Sequence, residues 1–487
     1  MFVTLQQSAG LFIRYLLDYP MSEEKFKQHL QQVVANISYE YQEGRLSGIA
    51  LMSLVIEKLP QELLEKHAQL LFLPLVMQLL NDDSKDCRGK LSQCIVMLLN
   101  RSSTGLVKTF QEYCVRWSKQ ATSLRLASLQ VFGLLAEARV DVLRTNSLVD
   151  EWADRLEENL LHRQQSNWEV TYFSLNCVEK LSHNFKETLP KRIELWSSIV
   201  DCLVDDHPWV MISSSRILKD LFSSGLVTGV LATKHGLLFN IVRNLCFQLN
   251  TPEENQNEDL TDMATMTLTQ ALPLMKNHPE FCYNNDIEND EEPDWEAGRD
   301  PIFWLMRRLS QVAKNKGTKR RLAVYKCYAA FASGNFSIVA PHFELMLESL
   351  YRTIIEGKNE FDNHALSQKR KSSSVFVQQL QQQQQRDVKA EDGASSEFSM
   401  AEEVLRLLEE SCETPDEFLN AYSNVKRRAR DKKQKRKTEE KSMAVLDPKA
   451  FAEQKIQKQV SNKERRKRRA HEQRRERGGL DKRRRSS

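Results

Sequence analysis

The sequence predicts an all-α chain whose helices form a repeating array, a HEAT-like α-solenoid, followed by a disordered linker and a basic, partly helical C-terminal tail. Three observations carry this prediction. Gly and Pro number only 16 and 13 in 487 residues, too few turns for an all-β chain of this length. Leu dominates the apolar set and favours helices over strands. Apolar residues recur at three- and four-residue spacing, as in Leu124, Leu126, Leu129, Val131, Leu134 and Leu135, which is the period of a helix with one buried face. The hydrophobic share of 41% suffices for a core if it is concentrated in residues 1–355.

Residues 1–355 read as about sixteen helices with short connections. The first, around Leu11–Leu17, has no polar cap before it and is expected to continue a larger array. Helices then pair at a period of roughly 40 residues. Phe72–Leu80 makes a first helix, Asn81–Arg88 a turn and Lys90–Leu99 a second helix. Within this pair Pro74, Asp82 and Arg88 stand at the spacing of the HEAT-repeat signature. The spacing has a mechanical reason: Pro bends the first helix, Asp caps the second, and Arg can pair with that Asp or its neighbour in the next repeat. A weaker instance runs through Asp205-Asp206-His207-Pro208-Trp209-Val210, with Pro190 displaced and Met211 in place of Arg. The apolar residues opening the second helices are expected at Cys87, Leu124, Val170 and Val210. An acidic insert, residues 280–300, carries nine carboxylates and one Arg. Helical spacing resumes at Ile302 and ends near Ile355.

Residues 356–398, with the Gln run 381–385, have the composition of a disordered linker. Residues 399–423 are expected to form short amphipathic helices. Ser399 and Glu402 have the form of a capping box, and Thr414-Pro415 opens a helix with a cap and a first-position Pro. Phe418, Leu419 and Tyr422, then Phe451, Ile456 and Val460 after Asp447-Pro448, are apolar anchor points for docking on a partner or back on the array.

Charge divides the chain. The formal net of +4 combines residues 424–487, with 26 Lys+Arg against 9 Asp+Glu, and residues 1–423, with 44 against 57. The body is therefore at −13 and the tail at +17. The nine cysteines form no C-x-x-C pair and sit among helical apolar residues, as reduced core thiols of an intracellular protein do. The first 20 residues lack a secretory pattern, and the apolar stretch Leu70–Leu80 is interrupted and too short to span a bilayer. No phosphate-binding loop, nucleophile elbow, zinc-protease or dinucleotide motif occurs, so no catalytic residue, cofactor or small-molecule substrate is expected. His278 and Cys282 stand four apart, but two ligands do not close a zinc site. Asp286-Ile287-Glu288-Asn289-Asp290 lacks the Gly and the final Glu of a calcium loop. Trp117, Trp152, Trp168, Trp196 and Trp209 are read as core.

The tail carries the functional signal. Its first basic cluster is Lys426, Arg427, Arg428, Arg430, Lys432, Lys433, Lys435, Arg436 and Lys437. The second is Arg465, Arg466, Lys467, Arg468, Arg469, Arg474 and Arg475, and the third Lys482, Arg483, Arg484 and Arg485. Like charges four apart oppose a free helix, and phosphates remove that repulsion, so ordering is expected on RNA. With Phe451 as its one aromatic, phosphate contact should dominate over base readout. Neutralising about eight phosphates would make log K fall against log salt with a slope of roughly −6 to −7. The same clusters serve as nuclear-import signals, and without interleaved apolar residues they do not suit a membrane surface.

The order of helical repeats, acidic insert, Gln-rich linker, Val425-Lys426-Arg427-Arg428-Ala429-Arg430 and Asn462–Glu472 resembles the C-terminal region of the small-subunit processome component 20 family, very large HEAT-repeat factors of nucleolar ribosome assembly. That resemblance implies a non-enzymatic scaffold with pre-ribosomal RNA and other processome proteins as partners, needed for small-subunit ribosomal RNA processing. The alternative is a nuclear transport or cargo adaptor, because helical-repeat receptors also bind cargo along acidic inner surfaces.

Overall fold

The structure is a computed structural model. It describes the chain apart from residues 1, 121, 146–147, 166, 186–188, 252–256, 283–299, 316, 356–383, 447–448, 450–451, 454–455, 458 and 461–487. The helices are α1 (Phe2–Asp18), α2 (Glu23–Asn36), α3 (Gln42–Lys58), α4 (Gln61–Asn81), α5 (Lys85–Arg101), α6 (Thr104–Ser118), α7 (Thr122–Ala138), α8 (Val140–Thr145), α9 (Leu148–Leu161) and α10 (Trp168–Asn184). They continue as α11 (Ile193–Asp201), α12 (Pro208–Ser223), α13 (Val227–Leu231), α14 (Leu237–Leu249), α15 (Glu258–Asn277), α16 (Pro301–Lys314) and α17 (Thr318–Val339). Then come α18 (343–355), α19 (Gln384–Ser411) and α20 (Pro415–Leu446). No strand occurs among the described residues. The excess over the sixteen helices expected before residue 356 is the pair of short helices α8, of six residues, and α13, of five.

The described residues fall into two compact units, one holding α1 to α17 with α19 up to Leu407, the other holding α18 from Glu344, the end of α19 and α20. In the first unit α3, α5, α7, α10, α12, α15 and α17 pack one on the next, and each pairs with the helix before it. This is the solenoid expected from the roughly 40-residue period. Cys87, Leu124, Val170 and Val210 each sit at the third position of their helix. Cys87, Val170 and Val210 are fully buried between layers. Aromatic rings fill the wider gaps: Phe72 stacks on Phe110 at 4.0 Å and Phe132 on Trp152 at 3.9 Å. Eight of the nine cysteines are buried and Cys412 is half-buried.

A capping relay ties several repeats to their predecessors. The last carbonyls of a helix have no partner within it. At the end of α3, those of Ile56, Glu57 and Leu59 accept from the guanidinium of Arg101, the last residue of α5. Arg139, just past α7, donates to Ser102 O at 2.8 Å and Leu99 O at 3.2 Å at the end of α5. Asn184, closing α10, donates to Ala136 O of α7.

The relay is adapted at α15. Pro273 lies inside that helix and has no N–H for the carbonyl of Thr269 four residues back. Asn335 Nδ2 of α17 fills that vacancy at 2.9 Å. It does so from a kink, with φ −142° and ψ 29° at Asn335 itself.

Several expectations change. Helix α4 runs unbroken through Pro74 for 21 residues, long and apolar enough by length and composition to cross a bilayer. Its Leu64, Ala68, Leu71, Leu75 and Leu79 are instead buried in the array. Trp152 and Trp196 are core, but Trp168 and Trp209 are 40% and 57% exposed. Helix α19 begins inside the segment expected as linker, and Glu397 on it pairs with Arg321 of α17 at 2.7 Å. Nearly all of the acidic insert and the Gln-rich segment before Gln384 lie outside the described residues.

Candidate nucleic-acid interface

Helix α20 has two halves of opposite character. Its first turn carries Asp416 and Glu417, whose charge suits the N-terminal end of the helix dipole. Phe418, Ala421 and Val425, spaced three and four apart, are buried. Phe418 stacks on Tyr422 at 5.9 Å, and Tyr422 meets Tyr351 of α18 edge-on at 5.7 Å. Burial pushes the Tyr422 hydroxyl up, and Tyr351 adds to the effect. Arg428 closes the contact with an ion pair to Glu344 at 2.8 Å. Beyond Val425 the basic side chains from Lys426 to Lys437 are all exposed.

At about 100° per residue, Lys426, Arg430, Lys433 and Lys437 fall on one face of α20 and Arg428, Lys432 and Lys435 on another. The first cluster thus lies on a continuous helix, although like-charge repulsion opposes one. That repulsion amounts to a few tenths of a kcal/mol per pair. The packed first half supplies the nucleus that a free peptide lacks, and Arg436 finds Glu440 at 3.7 Å one turn on. The helix also crosses the boundary expected between residues 423 and 424.

Of the expected anchors, Phe418 is buried and Tyr422 packs on α18, whereas Leu419, Ile456 and Val460 are exposed at 53%, 60% and 49%. Phe451 and the basic residues Arg465 to Arg469, Arg474, Arg475 and Lys482 to Arg485 lie outside the described residues.

Asp82 and Arg88 meet at the turn between α4 and α5 with different bonds from those expected, while Pro74 lies two turns back inside α4. Ser84, not Asp82, caps α5 by accepting from Cys87 N–H. Asp82 accepts from Arg45 Nε at 2.9 Å and Nη2 at 3.1 Å, from Gln78 Nε2 and from Ser84 N–H. Arg88 donates instead to the carbonyls of Asp82 and Asp83. Burial alone would raise the Asp82 carboxyl, but these hydrogen bonds and the Arg45 charge hold it below the ordinary value. Arg45, Glu344 and Tyr351 were not singled out from the sequence; for Arg45, its place one repeat before Asp82 was the available signal.

No family model matches the chain. Over 480 residues it is 22% identical to U3 small nucleolar RNA-associated protein 20 of Saccharomyces cerevisiae, covering 94% of this chain and 18% of that protein. This chain resembles a region of that protein. The Schizosaccharomyces pombe protein of the same name is 27% identical over 231 residues, 45% of this chain and 9% of the relative. The chain therefore spans less than a fifth of either curated relative, and the resemblance read from the sequence is borne out. Among solved structures, yeast importin-beta superposes with a TM-score of 0.50 at 14% identity, covering 85% of this chain and 51% of that one. That likeness is one of fold, the helical-repeat solenoid.

Proposed function

We propose that this chain is a non-enzymatic scaffold segment of the small-subunit processome, acting in the nucleolus in pre-ribosomal RNA processing and small-subunit assembly. The solenoid supplies surface for processome proteins, and the basic stretch from Lys426 onward contacts RNA phosphates. The observation that carries the reading is the similarity running along 94% of the chain to a U3 small nucleolar RNA-associated protein. The exposed, helical basic stripe on α20 supports the RNA contact. Phosphate binding without base readout fits side chains that are cationic and long, with no aromatic platform among them.

The test has two arms. Cells expressing the chain without residues 424–487 should lose nucleolar retention and co-sedimentation with pre-ribosomal particles. Unchanged residence would defeat the scaffold reading, and shuttling that responds to a Ran-type GTPase would favour the transport alternative. In vitro, Arg430→Glu with Lys433→Glu and Lys437→Glu should weaken single-stranded RNA binding. Losing three phosphate contacts should flatten the slope of log K against log salt by about 2. An unaltered slope would remove α20 from the interface.

A further inference from the structure

The exposed aromatics of α10 and α12 form one surface across two successive repeats. The His207 ring lies parallel on Trp168 at 3.6 Å, Trp168 neighbours Tyr172 at 6.3 Å, and Tyr172 meets Trp209 edge-on at 6.1 Å. Phe173 adds an edge contact to Tyr172 at 5.1 Å. These two exposed tryptophans, linked through Tyr172, contrast with Trp152 and Trp196, which are completely buried. Tyr172 and Phe173 also wall a cleft of about 420 Å³ with Leu129 and Gly133, and the cations on its wall, Lys180 and Arg216, are paired with Glu137 and Glu179.

The surrounding charge decides what this surface suits. Glu169 follows Trp168, and Asp205 and Asp206 precede His207. Asp205 accepts from His207 N–H at 2.9 Å, which fixes the turn that carries the ring. The nearby cation Arg163 lies 3.8 Å from Asp201 and 4.0 Å from Asp205. Glu169 itself is half-buried beside Trp168, with its Oε2 enclosed. Ring faces attract cations, more strongly where water is partly excluded, and the carboxylates add Coulomb attraction. A phosphate backbone would meet the same carboxylates as repulsion.

The geometry points to this face as a docking surface for an extended Arg- and Lys-rich segment of a partner protein. Its cationic side chains lie over Trp168 and Trp209 and between Glu169 and Asp206, with an apolar neighbour in the Tyr172 cleft. This surface lies on α10 and α12, and its charge is opposite to that of the basic stripe on α20.

The full chain can be titrated with a fluorescein-labelled nonapeptide of alternating Lys and Arg, and separately with labelled decauridylate. Trp168→Ala with Trp209→Ala should weaken the peptide about tenfold or more and leave the oligonucleotide within about twofold. Trp209→Phe should retain the peptide, whereas Asp206→Lys, a change at an exposed position, should weaken it. Far-UV helicity equal to the parent's establishes that each variant is folded. Peptide affinity unmoved by the double Trp replacement would overturn the proposal. A comparable loss of decauridylate binding would reassign the face to RNA bases and overturn it equally.

Discussion

Replacing Asn335 by Ala probes the reasoning that a proline in one repeat is accommodated by a side chain in the next. The Thr269 carbonyl has lost its helical partner to Pro273 and accepts from Asn335 Nδ2 at 2.9 Å. Removing that donor leaves a partly buried acceptor unsatisfied, at a cost of about 1–2 kcal/mol. The decisive measurement is the double-mutant cycle with Pro273→Ala, which restores an N–H within bonding reach of the same carbonyl. In that background Asn335→Ala should cost only about a few tenths of a kcal/mol, a coupling of roughly 1 kcal/mol. Because repeat arrays open regionally, hydrogen exchange at the amides of residues 324–332 is the assay. Equal costs of Asn335→Ala in the two backgrounds would refute the reasoning.

Three further outcomes are expected. The Asp82 carboxyl is held below its ordinary value, so its stabilisation is complete at neutral pH and fades as pH falls through that depressed value. Asp82→Asn should lower the melting temperature at pH 7 and lessen its dependence on acid, and parallel pH profiles would contradict this. Phe418→Ala should remove about 3 kcal/mol of local packing, seen as lost exchange protection from Phe418 to Val425; unchanged protection would show that α18 is not the anchor. In a maleimide time course at pH 8, Cys412 should react first and Cys177, whose thiol burial pushes up to about 12, among the last; the reverse order would be inconsistent with the packing.

The repeat architecture was legible because burial in a solenoid follows a local rule. An apolar residue in the first turn of each second helix must face its pair, and the spacing of Cys87, Leu124, Val170 and Val210 exposes that requirement. Bonds that join repeats were not legible in the same way. The Pro74, Asp82 and Arg88 spacing located the right turn, but Asp82 is satisfied by Arg45, 37 residues earlier, and nothing near Asp82 announces it. Trp168 and Trp209 misled for a different reason. Trp168 stands two residues before the buried Val170 and Trp209 one before the buried Val210, so at about 100° per residue both turn to a different face of the helix. The start of α20 at Thr414-Pro415 was legible but its length was not, because local charge opposes a helix past Val425 while the surface that anchors its first half, Tyr351 and Glu344, lies far away in sequence.

The capping relay also bears on the order in which the molecule assembles. Its links close over similar stretches of chain, 37 residues from Arg139 to Ser102 and 48 from Asn184 to Ala136. The link from Asn335 to Thr269 spans 66, because the acidic segment intervenes. Loop-closure entropy grows only logarithmically, so the longer span costs about 0.3–0.5 kcal/mol more at equilibrium. Search time responds more strongly to separation. Folding should therefore propagate readily through α15 and pause before α16 and α17 dock, making that junction the last to form and the first to open.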